Sequence, residues 1–279
     1  MSNMKPSIDQ LLVLIESKEE ELIQLTQALV RIPTINPPGD YYGDCIELLR
    51  SRLEDRGFEI NIIRAEGTPG DSEQYPRLNI IARKEGGRSG PCVHFNSHID
   101  VVPPGLGWDE DPFDAKLVDG KIFGRGTCDM KGFDAIALTA VPKALKRGIK
   151  RPIQIAMSYD EEVGCIGAPF MAAEMAKLMP KASAAIIGEP SMMKAVSGHK
   201  GGLGIKTHVR GFEVHSSLQH IGVSAIHEAA KLIEWANQMN IQNELLDRSE
   251  ATSMFTPPWT TVHVGTIEGG TANNITAKD

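Results

Sequence analysis

Three acidic side chains stand side by side in SYDEEVG, residues 158–164, directly after an apolar run. Adjacent carboxylates repel one another, and an acidic run is usually a solvated loop or the start of a helix. A nearby cation would offset that repulsion, and neighbouring acids could then divide the work between binding the ion and acting as a general base. Asp160, Glu161 and Glu162 are therefore candidates for metal chemistry if further ligands lie beside them.

Further ligand types follow other apolar runs. HFNSHIDVV carries His98 and Asp100 two residues apart, a spacing that places both side chains on one face of an extended chain. GRGTCDMKG places Asp129 in a glycine-rich loop, and IIGEPS places Glu189 after another apolar run. A lone strand histidine is more often ordinary than a ligand, but one histidine with several carboxylates suits zinc. Asp100 could then be the acid that orients a metal-bound His98.

Helices and strands alternate along the part of the chain that must position these residues. Helices are predicted over 7–30, over YGDCIELLRSRLEDRG, directly after Asp129 and around GAPFMAAEMAKLM; strands are predicted at FEINII, RLNIIARK, PCVHFNSHIDVV, RPIQIAMSY and ASAAIIGE. This alternation predicts an α/β fold with a mixed, largely parallel sheet flanked by helices. In such sheets ligands gather at the carboxyl ends of the strands, where the candidate residues stand.

The pattern changes after residue 190 to strand, helix and strand. We therefore predict one domain over 1–190 and a smaller α+β domain over 191–279.

Composition narrows the classes of partner. The 279 residues carry a net charge of −7, which argues against nucleic acid and anionic membranes as partners and favours small molecules. The apolar stretch LLVLI near the start is closed at once by ESKEEE, so we expect no signal or membrane helix and a cytoplasmic protein. The four cysteines lie far apart, which predicts reduced thiols rather than a disulfide framework or a thiolate zinc site.

Five motifs occur in order along the chain: SHIDVVP, GRGTCDMKG, DEEVG, GEPS and VHSSLQHIGVSAI. Together they resemble the M20 family of co-catalytic zinc hydrolases. The resemblance implies a zinc-hydrolase catalytic domain, a smaller dimerisation (lid) domain and two zinc ions per subunit, for which cobalt could substitute.

The resemblance also implies roles for individual residues. The implied metal ligands are His98 and Glu189 on one zinc, Glu162 on the other, and Asp129 as the bridge. Glu161 would be the general base and Asp100 the orienting acid, whereas Asp160 would shape the loop.

Two residues of the smaller domain complete the implied site. His215 of VHSS would donate a hydrogen bond to the reacting oxygen in the active site of the partner subunit, which makes a homodimer the expected assembly. Without the resemblance, His215 would be interpreted as an ordinary exposed strand histidine. Asn274 of GGTANNIT would contact the substrate.

Within the family, the chain is most similar to the group of acetylornithine deacetylase and succinyl-diaminopimelate desuccinylase. This implies a small N-acyl amino acid as substrate and removal of the acetyl group of N-acetyl-L-ornithine, a step of arginine biosynthesis. Desuccinylase, aminoacylase and peptidase relatives share the metal motifs and remain alternatives. A nucleophilic Cys128 is disfavoured, because the neighbouring Asp129 would raise the pKa of its thiol.

Members of the family continue beyond the point where this sequence stops, and a later histidine completes their second zinc site. No histidine follows His263 here. We therefore expect a truncated chain whose second site keeps Asp129 and Glu162. The alternative from another functional class is a catalytically silent fragment that binds one zinc or only dimerises.

Overall fold

The computed structural model describes residues 7–86, 90–146, 151–246 and 248–279, without the side chains of 11 and 140–146. The described residues form two compact units, the first ending at Met193 and the second beginning at Lys194. The assignment of these units to catalysis and to dimerisation stays a prediction.

The described residues of the first unit include seven strands: β1 (Glu59–Arg64), β2 (Leu78–Lys84), β3 (Cys92–His98), β4 (Lys116–Val118), β5 (Lys121–Phe123), β6 (Ile153–Ser158) and β7 (Ala182–Ile187). Five of them form one sheet in the order β1-β2-β6-β3-β7. The pairs β1–β2 and β2–β6 are antiparallel, and the pairs β6–β3 and β3–β7 are parallel. The mixed α/β prediction is confirmed, and its parallel part is the half of the sheet that carries the candidate ligands.

The helices of the first unit are α1 (Ile8–Glu16), α2 (Glu19–Val30), α3 (Tyr42–Glu54), α4 (Gly132–Lys146) and α5 (Gly167–Leu178). A capping box of Ser7 and Gln10 begins α1. The prediction of one helix over 7–30 was wrong, because the chain breaks between α1 and α2. At the break, the Ser17 hydroxyl donates to the Leu14 carbonyl at 2.7 Å, and Lys18 leaves the helical region with a φ of −119°.

The core lies between the sheet and the helices α2 and α3. Helix α3 buries Cys45, Ile46, Leu49 and Leu53, which lie on one face at helical spacing. Every residue of β6 is buried. Burial on both faces is typical of a central strand, and it gives the loop that follows β6 a rigid support.

The short hairpin of β4 and β5 was not predicted. Its turn residues Asp119 and Gly120 both have positive φ, 49° and 73°. An Asp-Gly pair is typical of a two-residue hairpin turn, so VDGK did carry a signal for it.

The second unit contains a short 3₁₀ helix (Ser216–Ile221) and the helices α6 (Ala225–Leu245) and α7 (Glu250–Ser253). The strands predicted on either side of α6 were wrong, because only isolated bridges such as His215–Ile275 form there among the described residues. The Thr276 hydroxyl accepts the Val214 N–H at 2.8 Å and so replaces a backbone acceptor of the ladder. Across the described ranges, no helix is both long and apolar enough to cross a bilayer.

Candidate metal centre

The sheet order brings the candidate residues to one edge. Strand β3 lies between β6 and β7, with His98 paired to Ser158 of β6 and Asn96 paired to Ile187 of β7. All three strands run in the same direction, so their carboxyl ends meet. His98 ends the middle strand, and the acidic segments that follow β6 and β7 lie on either side of it.

Three of the four predicted metal ligands meet in one cluster. His98 Nε2 lies 3.1 Å from Asp129 Oδ1 and 3.5 Å from Glu189 Oε1. One ligand atom from each of these residues lies within 4.8 Å of the other two, close enough to hold one metal ion. Glu162 is not part of this group.

His98 is held with one nitrogen facing the cluster. Its ring is 1% exposed, and Nδ1 donates to the backbone carbonyl of Asp100 at 2.9 Å. Because a carbonyl can only accept, Nδ1 carries the hydrogen and the lone pair of a neutral ring lies on Nε2. The carboxylate of Asp100, predicted as the orienting group, is the farther partner at 3.4 Å.

The Asp100 carboxylate has a further partner set that the sequence did not suggest. Its two oxygens accept the backbone N–H groups of Glu161 and Glu162, each at 3.1 Å, and the side-chain amide of Asn36 at 2.9 Å. A carboxylate that accepts backbone N–H groups fixes the turn that carries them. Asp100 therefore connects the position of His98 to that of the two glutamates.

Asp160 points away from the cluster. Its carboxylate is ion-paired with Arg77 Nε at 3.0 Å and accepts the Tyr42 hydroxyl at 2.7 Å. Its φ of 52° is unusual for a residue with a side chain. The three adjacent acids are thus separated: the Asp160 side chain is directed into the core, whereas the Glu161 carboxylate lies beside the cluster.

Glu161 and Glu162 occupy different positions beside the cluster. Glu161 Oε2 lies 3.8 Å from His98 Nε2, while its other oxygen accepts the Cys165 thiol at 3.3 Å. For Glu162, burial and then the negative charge of Asp129 raise the pKa of the carboxyl to about 7. At 3.8 Å from His98 Nε2, the Glu161 carboxylate is close enough to reach an atom bound at the cluster.

Charge in the cluster favours a cation. Burial lowers the pKa of His98, but Asp100 and Asp129 outweigh it and raise the pKa to about 11. Burial also raises the pKa of Glu189, and the charges of Asp129 and Glu161 add to that shift. The cluster thus combines an imidazole with crowded carboxylates, and the ionised carboxylates need a positive partner. These groups fit a divalent metal such as zinc.

The loop that carries Asp129 is anchored by residues that sequence reasoning missed. Lys131 is fully buried, and its ammonium donates to the carbonyls of Leu29 and Ile32 at 3.0 and 2.6 Å, where α2 ends. Gly126 has a φ of 87°, and a side-chain carbon there would lie 2.6 Å from Val101. The glycine-rich motif indicated a tight loop. Nothing in the sequence of α2 indicated that the carbonyls at its end would bind the Lys131 ammonium.

The two predicted residues of the second unit lie on adjacent segments. The Ser216 N–H donates to the Asn274 carbonyl at 2.8 Å. The Ser217 N–H donates to His215 Nδ1 at 3.2 Å, which leaves the hydrogen of a neutral ring on Nε2.

Comparisons with known proteins give a family match and several similar proteins. Residues 94–271 match the description of peptidase family M20/M25/M40. The chain is 32% identical over 267 residues to acetylornithine deacetylase of Shigella sonnei, a match that covers 93% of this chain and 65% of that protein. The chain thus spans about two thirds of that relative's length.

Two solved structures share the fold at low sequence identity. The di-peptidase Dug1p from Saccharomyces cerevisiae gives a TM-score of 0.62 at 19% identity, with 88% of this chain and 53% of that chain covered. An M20 family metallo-carboxypeptidase from Sulfolobus solfataricus gives 0.56 at 20% identity, with 76% and 49% covered.

Proposed function

The chain belongs to peptidase family M20/M25/M40, and we propose that it is a zinc-dependent amide hydrolase that removes the acetyl group from N-acetyl-L-ornithine. The observation that carries this proposal is the cluster of His98, Asp129 and Glu189 with Glu161 beside it. Three side chains that could hold a metal and an adjacent carboxylate that could act as a base are parts that metal-assisted hydrolysis needs.

His98, Asp129 and Glu189 would hold the metal, and Glu162 would join Asp129 at a second ion. When bound, zinc supplies a positive charge that polarises a carbonyl and makes a water molecule acidic near neutral pH. Glu161 then accepts a proton from the attacking water and returns it to the nitrogen of the departing amine. The amide C–N bond breaks, and acetate and ornithine leave.

His215 and Asn274 would bind the substrate from the second unit. With its Nδ1 occupied by the Ser217 N–H, His215 presents an Nε2–H that can stabilise the oxyanion of the tetrahedral intermediate. We place this contact across a homodimer, as the family resemblance implies, and we place the protein in the cytoplasm.

The identity of 32% to an acetylornithine deacetylase supports the choice of substrate. The shared metal motifs do not distinguish acetylornithine from succinyl-diaminopimelate or a dipeptide. The test is therefore a comparison of all three substrates with the purified chain loaded with zinc, with release of free amine as the readout. The expected result is that N-acetyl-L-ornithine has the highest kcat/KM.

Two variants make this test specific to the site. Glu161→Gln keeps the size of the side chain but removes the base, so we expect a loss of at least about 100-fold in kcat. Glu66→Gln makes the same change on an exposed residue outside the cluster and should leave kcat unchanged. Preference for the succinyl substrate would overturn the choice of substrate, and equal activity of the two variants would overturn the role of Glu161.

A further inference from the structure

A second polar cluster lies directly beneath the turn that carries Glu161 and Glu162. It consists of Asn36, Tyr42 and Arg77, the three side chains that contact the Asp160 carboxylate, and we call these three residues the acid clamp. All three are at most 5% exposed. Buried polar side chains are costly unless they are paired, so a cluster of this kind needs a reason.

Asn36 binds two acids at once. Its Nδ2 lies 2.9 Å from Asp100 Oδ2 and 3.1 Å from Asp160 Oδ1. An amide nitrogen has two hydrogens, one for each of these contacts. Asn36 therefore connects the carboxylate that binds the Glu161 and Glu162 N–H groups to the carboxylate that immediately precedes them.

Arg77 is set in a socket of backbone. Its guanidinium also donates to the Pro38 carbonyl at 2.8 Å and lies over the Tyr42 ring. A side-chain carbon on Gly39 would lie 2.2 Å from Nη1, and one on Gly70 would lie 2.4 Å from Nη2. Both glycines have positive φ, 100° and 84°, so the socket is closely fitted around this cation.

The acid clamp also balances charge. Asp100 and Asp160 are both buried, and each would repel the other if no donor or cation lay between them. With Asp160 drawn toward Arg77 and Tyr42, the chain turns at a φ of 52°. The next two residues then leave the turn with their N–H groups on Asp100, and the Glu161 carboxylate lies 3.8 Å from His98 Nε2.

We propose that the acid clamp is a positioning device for catalysis: Asn36, Tyr42 and Arg77 hold Asp160 and Asp100 so that Glu161 and Glu162 face the metal. The inference rests on the proposed function, because it concerns the same metal centre. Within the part of the chain that the structure describes, none of the three forms a hydrogen bond to His98, Asp129 or Glu189, so they act through the two aspartates.

The test is cobalt binding to the complete 279-residue chain and to two variants of the acid clamp. Asn36→Leu keeps the approximate volume but removes both donors, and Tyr42→Phe removes only the hydroxyl. The matched control is Gln154→Leu, which removes a buried amide that donates to the Pro180 carbonyl at 2.9 Å from the opposite end of β6. Cobalt affinity and the visible absorption bands of bound cobalt are measured first, then kcat and KM for N-acetyl-L-ornithine.

Loss of residues that orient metal-site groups typically weakens metal binding by about 10–100-fold. We expect a weakening of that size and altered cobalt bands for Asn36→Leu, and a smaller change in the same direction for Tyr42→Phe. Their kcat should fall while KM stays near the wild-type value. Gln154→Leu should match the wild type in affinity, spectrum and kcat, although its thermal stability also decreases.

Three other outcomes would count against the inference, and they are distinguishable. Folded variants of the acid clamp with wild-type cobalt bands, affinity and kcat would overturn the positioning role and leave the proposed function standing. If Asn36→Leu does not fold, wild-type cobalt bands, affinity and kcat in Tyr42→Phe would also overturn the positioning role. A folded wild-type chain that takes up no cobalt would overturn the proposed function and the inference together.

Discussion

Replacing Asp100 with asparagine should destabilise the protein although the two side chains have nearly the same shape. One carboxylate oxygen accepts the Glu161 N–H, and the other accepts the Glu162 N–H and the Asn36 amide. An asparagine has only one oxygen. Whichever way its amide turns, the new NH₂ group faces at least one backbone N–H donor.

The size of the effect follows from these contacts. Each buried donor left without an acceptor costs about 1–3 kcal/mol. One orientation of the new amide strands the Glu161 N–H, and the other strands the Glu162 N–H and one Asn36 hydrogen. The amide adopts the less costly orientation, which strands one donor, so the loss should be about 1–3 kcal/mol against the roughly 5–15 kcal/mol that is typical of a folded domain.

The assay is urea unfolding of the metal-free protein, followed by circular dichroism. Asp109→Asn is the matched control, because Asp109 is exposed and surface substitutions usually change stability by less than about 0.5 kcal/mol. If Asp100→Asn unfolds within that margin of the control, Asp100 does not hold the turn, and the explanation of how Glu161 and Glu162 are positioned is wrong.

Three further predictions concern single positions around the same edge of the sheet. Gly188→Ala places a carbon 2.0 Å from the Phe133 ring and should cost about 1–3 kcal/mol in urea unfolding. Gly43→Ala is the control, because nothing lies within 4 Å of its added carbon, and it should stabilise α3 by about 0.5–1 kcal/mol. Equal effects of the two changes would contradict the close packing of Gly188 against Phe133. Burial raises the pKa of Asp134 from 3.8 to about 7, so the folded chain binds a proton that the unfolded chain has released and stability falls as the pH rises between these values. Asp134→Asn should therefore match the wild type at about pH 4 and exceed its stability by up to about 4 kcal/mol at pH 8, and a difference independent of pH would refute this. Glu189→Gln removes one of three ligands and should weaken zinc binding more than the roughly 100-fold that orienting residues can cost; calorimetric titration that finds wild-type affinity would remove Glu189 from the site.

The parts of the fold that were predictable are those in which pattern and burial agree. Strands β1, β2, β3, β6 and β7 are apolar runs with clear boundaries, and their alternation with helices predicted the mixed sheet. The parallel pairing of β6, β3 and β7 brings His98 beside the acid that follows β7. The capping box at Ser7 was equally visible, because it depends on neighbours in the sequence.

The parts that were missed depend on contacts between distant segments. Arg77 and Asn36 contact Asp160 across long stretches of chain, and nothing beside either residue marks it as a partner of an acid. The Thr276 hydroxyl breaks a ladder by accepting an N–H group 62 residues away. Local propensity cannot anticipate a side chain that takes the place of a backbone acceptor.

The most direct test of the metal centre is the zinc content of the purified chain after dialysis against trace zinc, measured by elemental analysis. His98→Ala removes the only nitrogen ligand of the described cluster, and His263→Ala makes the same change at an exposed position. We predict at least one zinc per chain for the wild type and for His263→Ala, and almost none for His98→Ala. No zinc in the wild type, or an undiminished content in His98→Ala, would contradict the assignment of this cluster as a metal centre.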